Sequence, residues 1–291
     1  MKKYISGLFL ISLMVSSCSQ QEVINPNEDN EIHFRAFYPG TESRVSGNSF
    51  ENGDVMGVYM TEYDEDKATP LQASGNFVTN ARTLFNGTTW QCVPAVYWGD
   101  GKYDIFGYYP YDEVESVDEY KFTVLLDQSE TSETPKAYEA SDFLWTKVSG
   151  VNRMDEVPLS FSHLLSRIVV KLIPGEEYEG DIPENVDVVI HNTVPQGLID
   201  LAYGVVTKDF RASEKSIKAR KEDTGVYAAI LIPQRIESHR PLIEIISNGV
   251  SYMVESSFIF RSGVQHTITV TLDNNPERVK VEIGGEITDW K

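Results

Sequence analysis

The sequence has few cysteines, a shortage of basic residues and no long hydrophobic segment, and each shortage excludes a class of protein. Its two cysteines, Cys18 and Cys92, are too few for a scaffold held by several disulfides or for a cysteine-rich zinc site. Lys and Arg number 25 against 44 Asp and Glu, a formal charge of −19, so a nucleic-acid partner is not expected. The apolar run Tyr4–Val15 is too short for an ordinary transmembrane helix.

The motifs of common catalytic sites are also missing from the sequence. There is no Gly-x-Ser-x-Gly elbow, no His-Glu-x-x-His pair and no phosphate-binding glycine loop. The five histidines are scattered, and no two of the 44 carboxylates stand out as a glycosidase pair. The sequence therefore predicts no catalytic residue, no metal site and no cofactor, and a hydrolase is retained only as a third alternative.

The N-terminus has the order of a secretory signal. Lys2 and Lys3 precede the run Tyr4–Val15, and Ser16, Ser17 and Cys18 follow it. This end resembles a bacterial lipobox, which predicts a signal peptide over residues 1–17 and lipidation of Cys18. Residues 18–30 are polar and predict a flexible tether. Acyl chains on Cys18 would then anchor the protein to a membrane without a spanning helix.

Alternating apolar and polar residues predict strands through the rest of the chain. One face of the first predicted strand carries Ile32, Phe34, Ala36 and Tyr38. In the segment Ile268–Leu272, apolar residues alternate with threonines. Asn-Gly pairs between such segments favour tight hairpins. The best helix candidate is Ala212–Arg220, which is short and polar. The pattern predicts an all-β protein built from antiparallel sandwiches.

A change in composition divides the chain into two predicted domains. Thr131–Asp142 is polar and acidic, and the strand series begins again at Leu159. We expect an N-terminal domain over residues 31–157 and a C-terminal domain over residues 158–291. The aromatic-rich stretch Tyr97–Tyr111 is expected mainly in the core of the first domain, although exposed rings could stack on sugars.

Seven segments resemble, in their sequence and in their order along the chain, the fimbrillin-like family of Bacteroidetes surface lipoproteins, which includes pilus subunits and tip adhesins. The resemblance runs from about Ile32 to Trp290. The segments are Phe50–Met60 (FENGDVMGVYM), Ala95–Asp112 (AVYWGDGKYDIFGYYPYD), Ser141–Val148 (SDFLWTKV), Val157–Leu172 (VPLSFSHLLSRIVVKL), Leu231–Gln234 (LIPQ), Phe260–Leu272 (FRSGVQHTITVTL) and the final ITDW.

The resemblance implies two transthyretin-like β-sandwich domains in tandem and export to the outer membrane, with exposure at the cell surface in a fimbrium. In true pilins of the family, an Arg-specific protease removes the first strand, and a neighbouring subunit then fills the groove with its own strand. Here the first strand would be Glu31–Tyr38, with Ile32, Phe34, Ala36 and Tyr38 facing the groove. Arg44 is then the candidate cleavage site, and an ordinary loop arginine is the alternative.

The chain stops at Lys291 without the long appended strand pair of a stalk pilin, so the resemblance favours a tip or accessory subunit. Donation of the segment Val279–Lys291 stays open. The expected partners are other fimbrial subunits by strand exchange, the outer membrane through the lipid anchor, and a host or bacterial surface receptor or glycan. The alternative function is a monomeric surface lipoprotein that binds glycans through exposed aromatics.

Overall fold

The computed structural model describes residues 30–39, 49–132, 136–176, 178, 180–274 and 280–290, with only the backbone of residues 280–289. The described residues form twenty-three strands in five sheets and one helix of four residues, α1 (Ala137–Ala140). No helix in these ranges is long and apolar enough to cross a membrane. The protein is therefore all-β, with a predominance of antiparallel pairs that is consistent with β-sandwich architecture.

Residues 34–163 supply the strands of a nine-stranded sheet. Its strands, in spatial order, are β10 (Ser162–His163), β8 (Leu144–Val151), β6 (Tyr103–Tyr109), β2 (Val55–Asp64), β4 (Val78–Phe85), β5 (Trp90–Cys92), β1 (Phe34–Phe37) and β9 (Val157–Ser160), with β3 (Lys67–Ala68) paired to β2. The pairing of β1 with β9 is parallel, whereas the other pairings are antiparallel.

Four smaller sheets complete the described fold. The five-stranded sheet contains β16 (Arg220–Asp223), β17 (Val226–Leu231), β11 (Ser166–Pro174), β22 (Val264–Leu272) and β23 (Lys280–Asp289). The four-stranded sheet contains β15 (Lys215–Lys218), β12 (Val186–Thr193), β19 (Pro241–Ser247) and β20 (Val250–Glu255). The remaining strands are β14 (Val205–Lys208), β13 (Gln196–Asp200) and β7 (Tyr120–Thr123) in one sheet, and β18 (Gln234–Ile236) and β21 (Phe258–Phe260) in another.

Local sequence explains the hairpin that joins β19 to β20. Asn248 and Gly249 both have positive φ angles, 52° and 79°. A two-residue turn of this kind matches the twist of antiparallel strands, and Asn and Gly are the residues that adopt it at least cost. The Asn-Gly pair therefore fixes the register in which Ser247 faces Val250.

The segment Ala212–Arg220 is not a helix, so that prediction was wrong. Its centre is β15, in which Ile217 is buried and Lys218 is half-buried, and Ala219, directly after the strand, is buried again. This alternation has a period of two, which is the signature of a strand. Many polar residues around a single buried isoleucine concealed the pattern.

Two apolar clusters fill the interior of the described fold, one on each face of the nine-stranded sheet. Met56, Val58 and Met60 of β2 point into the smaller cluster. Tyr59, between them, points into the larger cluster, which also contains residues from the five-, four- and three-stranded sheets. Alternate residues of one strand point to opposite faces, so the centre of β2 is covered on both sides.

The predicted boundary between residues 157 and 158 falls inside the nine-stranded sheet, because the β9 strand begins at Val157. The three-stranded sheet also joins β7, from the first half of the chain, to β13 and β14 from the second. The division into two domains stays a prediction.

Candidate functional site at the first strand

The first strand, β1, lies inside the nine-stranded sheet, between β5 and β9. Its first residue pairs antiparallel with Trp90, and all four of its residues pair in parallel with Val157–Ser160. Just before β1, the Ile32 N–H donates to the carbonyl oxygen of Val96 at 2.9 Å. Loss of this segment would leave unpaired backbone groups on both neighbouring strands.

The four residues predicted to face a groove lie as follows. Ile32 and Phe34 are 2% and 3% exposed and belong to the smaller apolar cluster. Ala36 and Tyr38 are half-buried and pack against the same cluster. Arg35, on the opposite face, is exposed. The strand thus presents one apolar face to the interior, and that face becomes more accessible toward Tyr38.

A cavity of about 500 Å³ lies beside β1. The aromatic residues that line it are Phe34, Tyr38, Phe50, Phe85 and Trp90, and Arg35 and Glu156 contribute charged groups. The Phe50 ring contacts two of these rings edge-on, with centroid distances of 5.4 Å to Tyr38 and 5.0 Å to Trp90. Such edge-to-face contacts add to the stabilisation from area burial.

Tyr38, at the end of the first strand, is hydrogen-bonded to a buried carboxylate. Its hydroxyl donates to Oδ2 of Asp142 at 3.0 Å. Burial, together with the charge of Asp142 and this hydrogen bond, raises the pKa of the Tyr38 hydroxyl well above its usual value. Tyr38 is therefore a neutral hydrogen-bond donor at physiological pH.

His163 completes a group around the same carboxylate. Its Nδ1 lies 2.9 Å from Oδ1 of Asp142, and its side chain has no exposed surface. The Tyr38 ring meets the His163 ring edge-on at 5.7 Å between centroids. On another side, the Trp290 ring stacks on His163 at 3.7 Å with an interplanar angle of 2°. Asp142 and His163 thus connect the first strand to the residue that follows β23.

Backbone contacts hold each member of this group in place. Asp142 follows α1, and its N–H donates to the Glu139 carbonyl oxygen at 3.2 Å. His163 lies in β10, opposite Leu144 of β8. The Trp290 N–H donates to the carbonyl oxygen of Gly263 at 3.0 Å.

Two predicted site residues, Cys18 and Arg44, lie outside the described residues. The other cysteine, Cys92, is a buried free thiol whose sulfur lies 3.2 Å from Oγ1 of Thr83. Burial raises the pKa of the Cys92 thiol. Within the described ranges, no three His, Cys, Asp or Glu side chains come together where they could hold a metal ion.

The aromatic-rich stretch contributes to the interior more than to the surface. Trp98, Tyr103, Phe106 and Tyr108 are buried, whereas Tyr97 is 45% exposed. The most exposed rings of the described chain are elsewhere, at Tyr203 (76%) and Phe210 (84%). These two residues, on either side of β14, are the better candidates for stacking on a ligand.

Sequence reasoning missed Asp142, His163 and Trp290 as a group. Asp142 and His163 are 21 positions apart, and neither has metal-ligand spacing to another candidate. One signal was available, because the three residues lie in three of the segments that resemble the family. Those segments meet at one buried point of the fold.

Comparisons with known proteins give a family, from a family model, and a fold, from solved structures. A family model described as fimbrillin-like matches residues 43–290. Among solved structures, a candidate cell adhesion protein from Bacteroides ovatus ATCC 8483 is 22% identical with a TM-score of 0.65, and the match covers 90% of this chain and 97% of the other. A second candidate cell adhesion protein, from Bacteroides uniformis ATCC 8492, is 19% identical with a TM-score of 0.64, covering 90% and 99%.

A fimbrial protein from Bacteroides vulgatus ATCC 8482 is 14% identical with a TM-score of 0.53, and the match covers 90% of this chain and 100% of the other. At these identities the likeness concerns the fold. No curated protein sequence matches the chain.

Proposed function

The chain belongs to the fimbrillin-like family, and from this membership we propose that it is a non-enzymatic fimbrial subunit or tip or accessory adhesin at the cell surface. Its partners are then other fimbrial subunits. Assembly proceeds by strand exchange: proteolysis after Arg44 removes β1, and a strand from a neighbour takes its place between β5 and β9. Cys18 carries the lipid that holds the exported precursor at the outer membrane.

The position of β1 is the observation that carries this proposal. A strand near the N-terminus occupies an interior place in the sheet, with backbone partners on both sides. Removal of such a strand leaves a gap that an added strand can fill, because main-chain hydrogen bonds supply affinity and alternate side chains fill pockets. Ile32 and Phe34 supply the alternate side chains here.

The energy available to an incoming strand can be approximated from these two residues. Full burial of an Ile or Phe side chain is worth about 1.5–3 kcal/mol. A strand that places comparable side chains at both positions therefore gains several kcal/mol, before the hydrogen bonds to β5 and β9 are counted. Cleavage of the chain would convert the same interactions from intramolecular to intermolecular.

The proposal is tested by Arg44→Lys in the native host, because an Arg-specific protease should not cut after lysine although the charge is kept. We expect the variant to retain its first strand and to be absent from the polymer ladder on mildly heated gels. Arg211→Lys, at an exposed loop position, is the matched control and should polymerise normally. Normal ladders from the Arg44 variant with an uncut N-terminus would contradict the mechanism.

Exposed rings favour a second candidate function, which is glycan binding by a monomeric surface protein. Tyr203 and Phe210 are the rings that support it, since each is more than three-quarters exposed. Retention of wild type on immobilised polysaccharide, lost in the Tyr203→Ala and Phe210→Ala variants, would favour this function. Tyr97→Ala, at a less exposed ring, serves as the control.

A further inference from the structure

The two ends of the described chain meet at one buried histidine. Tyr38 follows β1, and Trp290 follows β23, the last strand. Both rings contact the imidazole of His163, Tyr38 edge-on and Trp290 face-to-face. These contacts are in addition to the sheet pairings of β1 and β23, which lie in different sheets.

His163 has little freedom to accommodate the loss of either neighbour. Its side chain has no exposed surface, and its Nδ1 is bonded to Asp142. Its other nitrogen, Nε2, has no hydrogen-bond partner among the described residues. The ring is therefore positioned by Asp142 on one edge and by packing on the rest of its surface. If the Tyr38 hydroxyl leaves Asp142, the carboxylate loses one of the two hydrogen bonds that it accepts or shares with Tyr38 and His163 in the described part of the chain, and the imidazole loses a packing partner.

The end of β23 depends on these contacts more than a central strand would. In the described fold, β23 lies at the edge of the five-stranded sheet and pairs with β22 alone. Beyond β23, the Trp290 N–H bonds to Gly263, whose own N–H bonds to the Leu165 carbonyl oxygen at 2.8 Å. The Trp290 side chain is 8% exposed, stacks on His163 and belongs to the larger apolar cluster, so side-chain packing closes this end.

We propose that Tyr38, Asp142, His163 and Trp290 form a latch that couples retention of the first strand to retention of the end of β23. Tyr38 holds His163 in the orientation against which Trp290 packs, and Trp290 does the same for Tyr38. Coupling between two sites is reciprocal, so loosening Tyr38 must loosen Trp290 by the same factor as the reverse. The coupling itself stands apart from the proposed function. Its consequence for assembly rests on that function: removal of β1 would loosen the C-terminal strand of the same subunit.

Hydrogen exchange on the full, uncleaved chain tests the latch. Tyr38→Phe keeps the ring and removes its hydrogen bond to Asp142. We expect amide exchange in β23 to rise about fivefold or more, the lower range of coupling energies in proteins. Exchange is measured relative to the amides of β17, so that a uniform loss of stability cancels. In the reverse experiment, Trp290→Leu should raise exchange in β1 by a similar factor.

Tyr120→Phe is the matched control, since the Tyr120 hydroxyl also donates to an aspartate, Oδ2 of Asp112, at 3.0 Å. It should leave exchange in β23 unchanged. A second test uses His163→Phe, which retains an aromatic ring but cannot bond Asp142. In that background, Tyr38→Phe should no longer affect β23.

Two results would overturn the latch. One is a rise in exchange confined to the mutated end in both Tyr38→Phe and Trp290→Leu. The other is additivity in the double variant Tyr38→Phe/Trp290→Leu, in which the free-energy changes from amide exchange would equal the sum of those of the single variants, because additivity means that the two sites are independent. Neither result requires cleavage or polymerisation, so failure of the latch is distinguishable from failure of strand exchange at Arg44.

Discussion

Phe34→Ala should weaken the hold of the first strand on the sheet and lower the stability of the whole chain. Phe34 is 3% exposed, and it packs in the smaller apolar cluster with Ile32, Met56 and Trp90. Truncation of a buried phenylalanine costs about 3–5 kcal/mol, because transfer energy is lost and a cavity remains. At about 1.4 kcal/mol per tenfold change, the unfolding equilibrium should shift by at least roughly a hundredfold.

The assay is urea unfolding followed by tryptophan fluorescence, with the free energy of unfolding extrapolated to water. His33→Ala, which changes an exposed neighbour in the same segment, is the control and should shift the free energy by no more than about 0.5 kcal/mol. Exchange of the β9 amides should also accelerate in Phe34→Ala, because β9 pairs with β1. A loss below about 1 kcal/mol in Phe34→Ala would refute the view that this apolar face holds the strand in place.

Three further predictions concern other parts of the chain. Cys18→Ala should release the protein from membranes or leave it uncleaved, and continued palmitate labelling of the variant would contradict lipidation there. Burial opposes ionisation of Asp104, but hydrogen bonds from Lys147 and others hold the pKa of its carboxyl below the usual value. The stabilising effect of the ionised Asp104 carboxylate is therefore complete above its unfolded-state pKa and is lost as pH falls through its folded-state pKa. Acid should then destabilise wild type more than it destabilises Asp104→Asn. Thermal unfolding between pH 6 and 3, about the range of carboxyl titration, measures the difference. Cys92, buried and with a raised pKa, should react with a thiol reagent at neutral pH only after denaturation, and fast labelling of the native protein would contradict its burial.

Local alternation was sufficient to predict several of the strands. The predicted strand segment Ile268–Leu272 lies within β22, and the first predicted strand, Glu31–Tyr38, contains β1. These segments are rich in β-branched and aromatic residues, so local preference and tertiary structure agree. The segment Ala212–Arg220 shows the limit of this reasoning, because its strand contains one buried isoleucine among polar residues.

The arrangement of the strands could not be predicted in the same way. Nothing local places β1 between β5 and β9, or makes its pairing with β9 parallel. These relations depend on contacts between residues far apart in sequence, which a period of two does not encode.

In the candidate site, too, the local pattern could be predicted and the contacts between distant residues could not. The apolar face of the first strand was visible in the alternation from Ile32 to Tyr38. The bond between Asp142 and His163 was not, because a lone histidine carries no spacing signal. The stack of Trp290 on His163 joins residues even farther apart.

The central claim is that the first strand is removed before the subunit enters a fimbrium. The most direct measurement is the intact mass and N-terminal sequence of this chain purified from assembled fimbriae of the native host. Strand exchange predicts a subunit that begins after Arg44 and lacks the Ile32–Tyr38 segment. A fimbrial subunit that still carries residues 18–44 would contradict it.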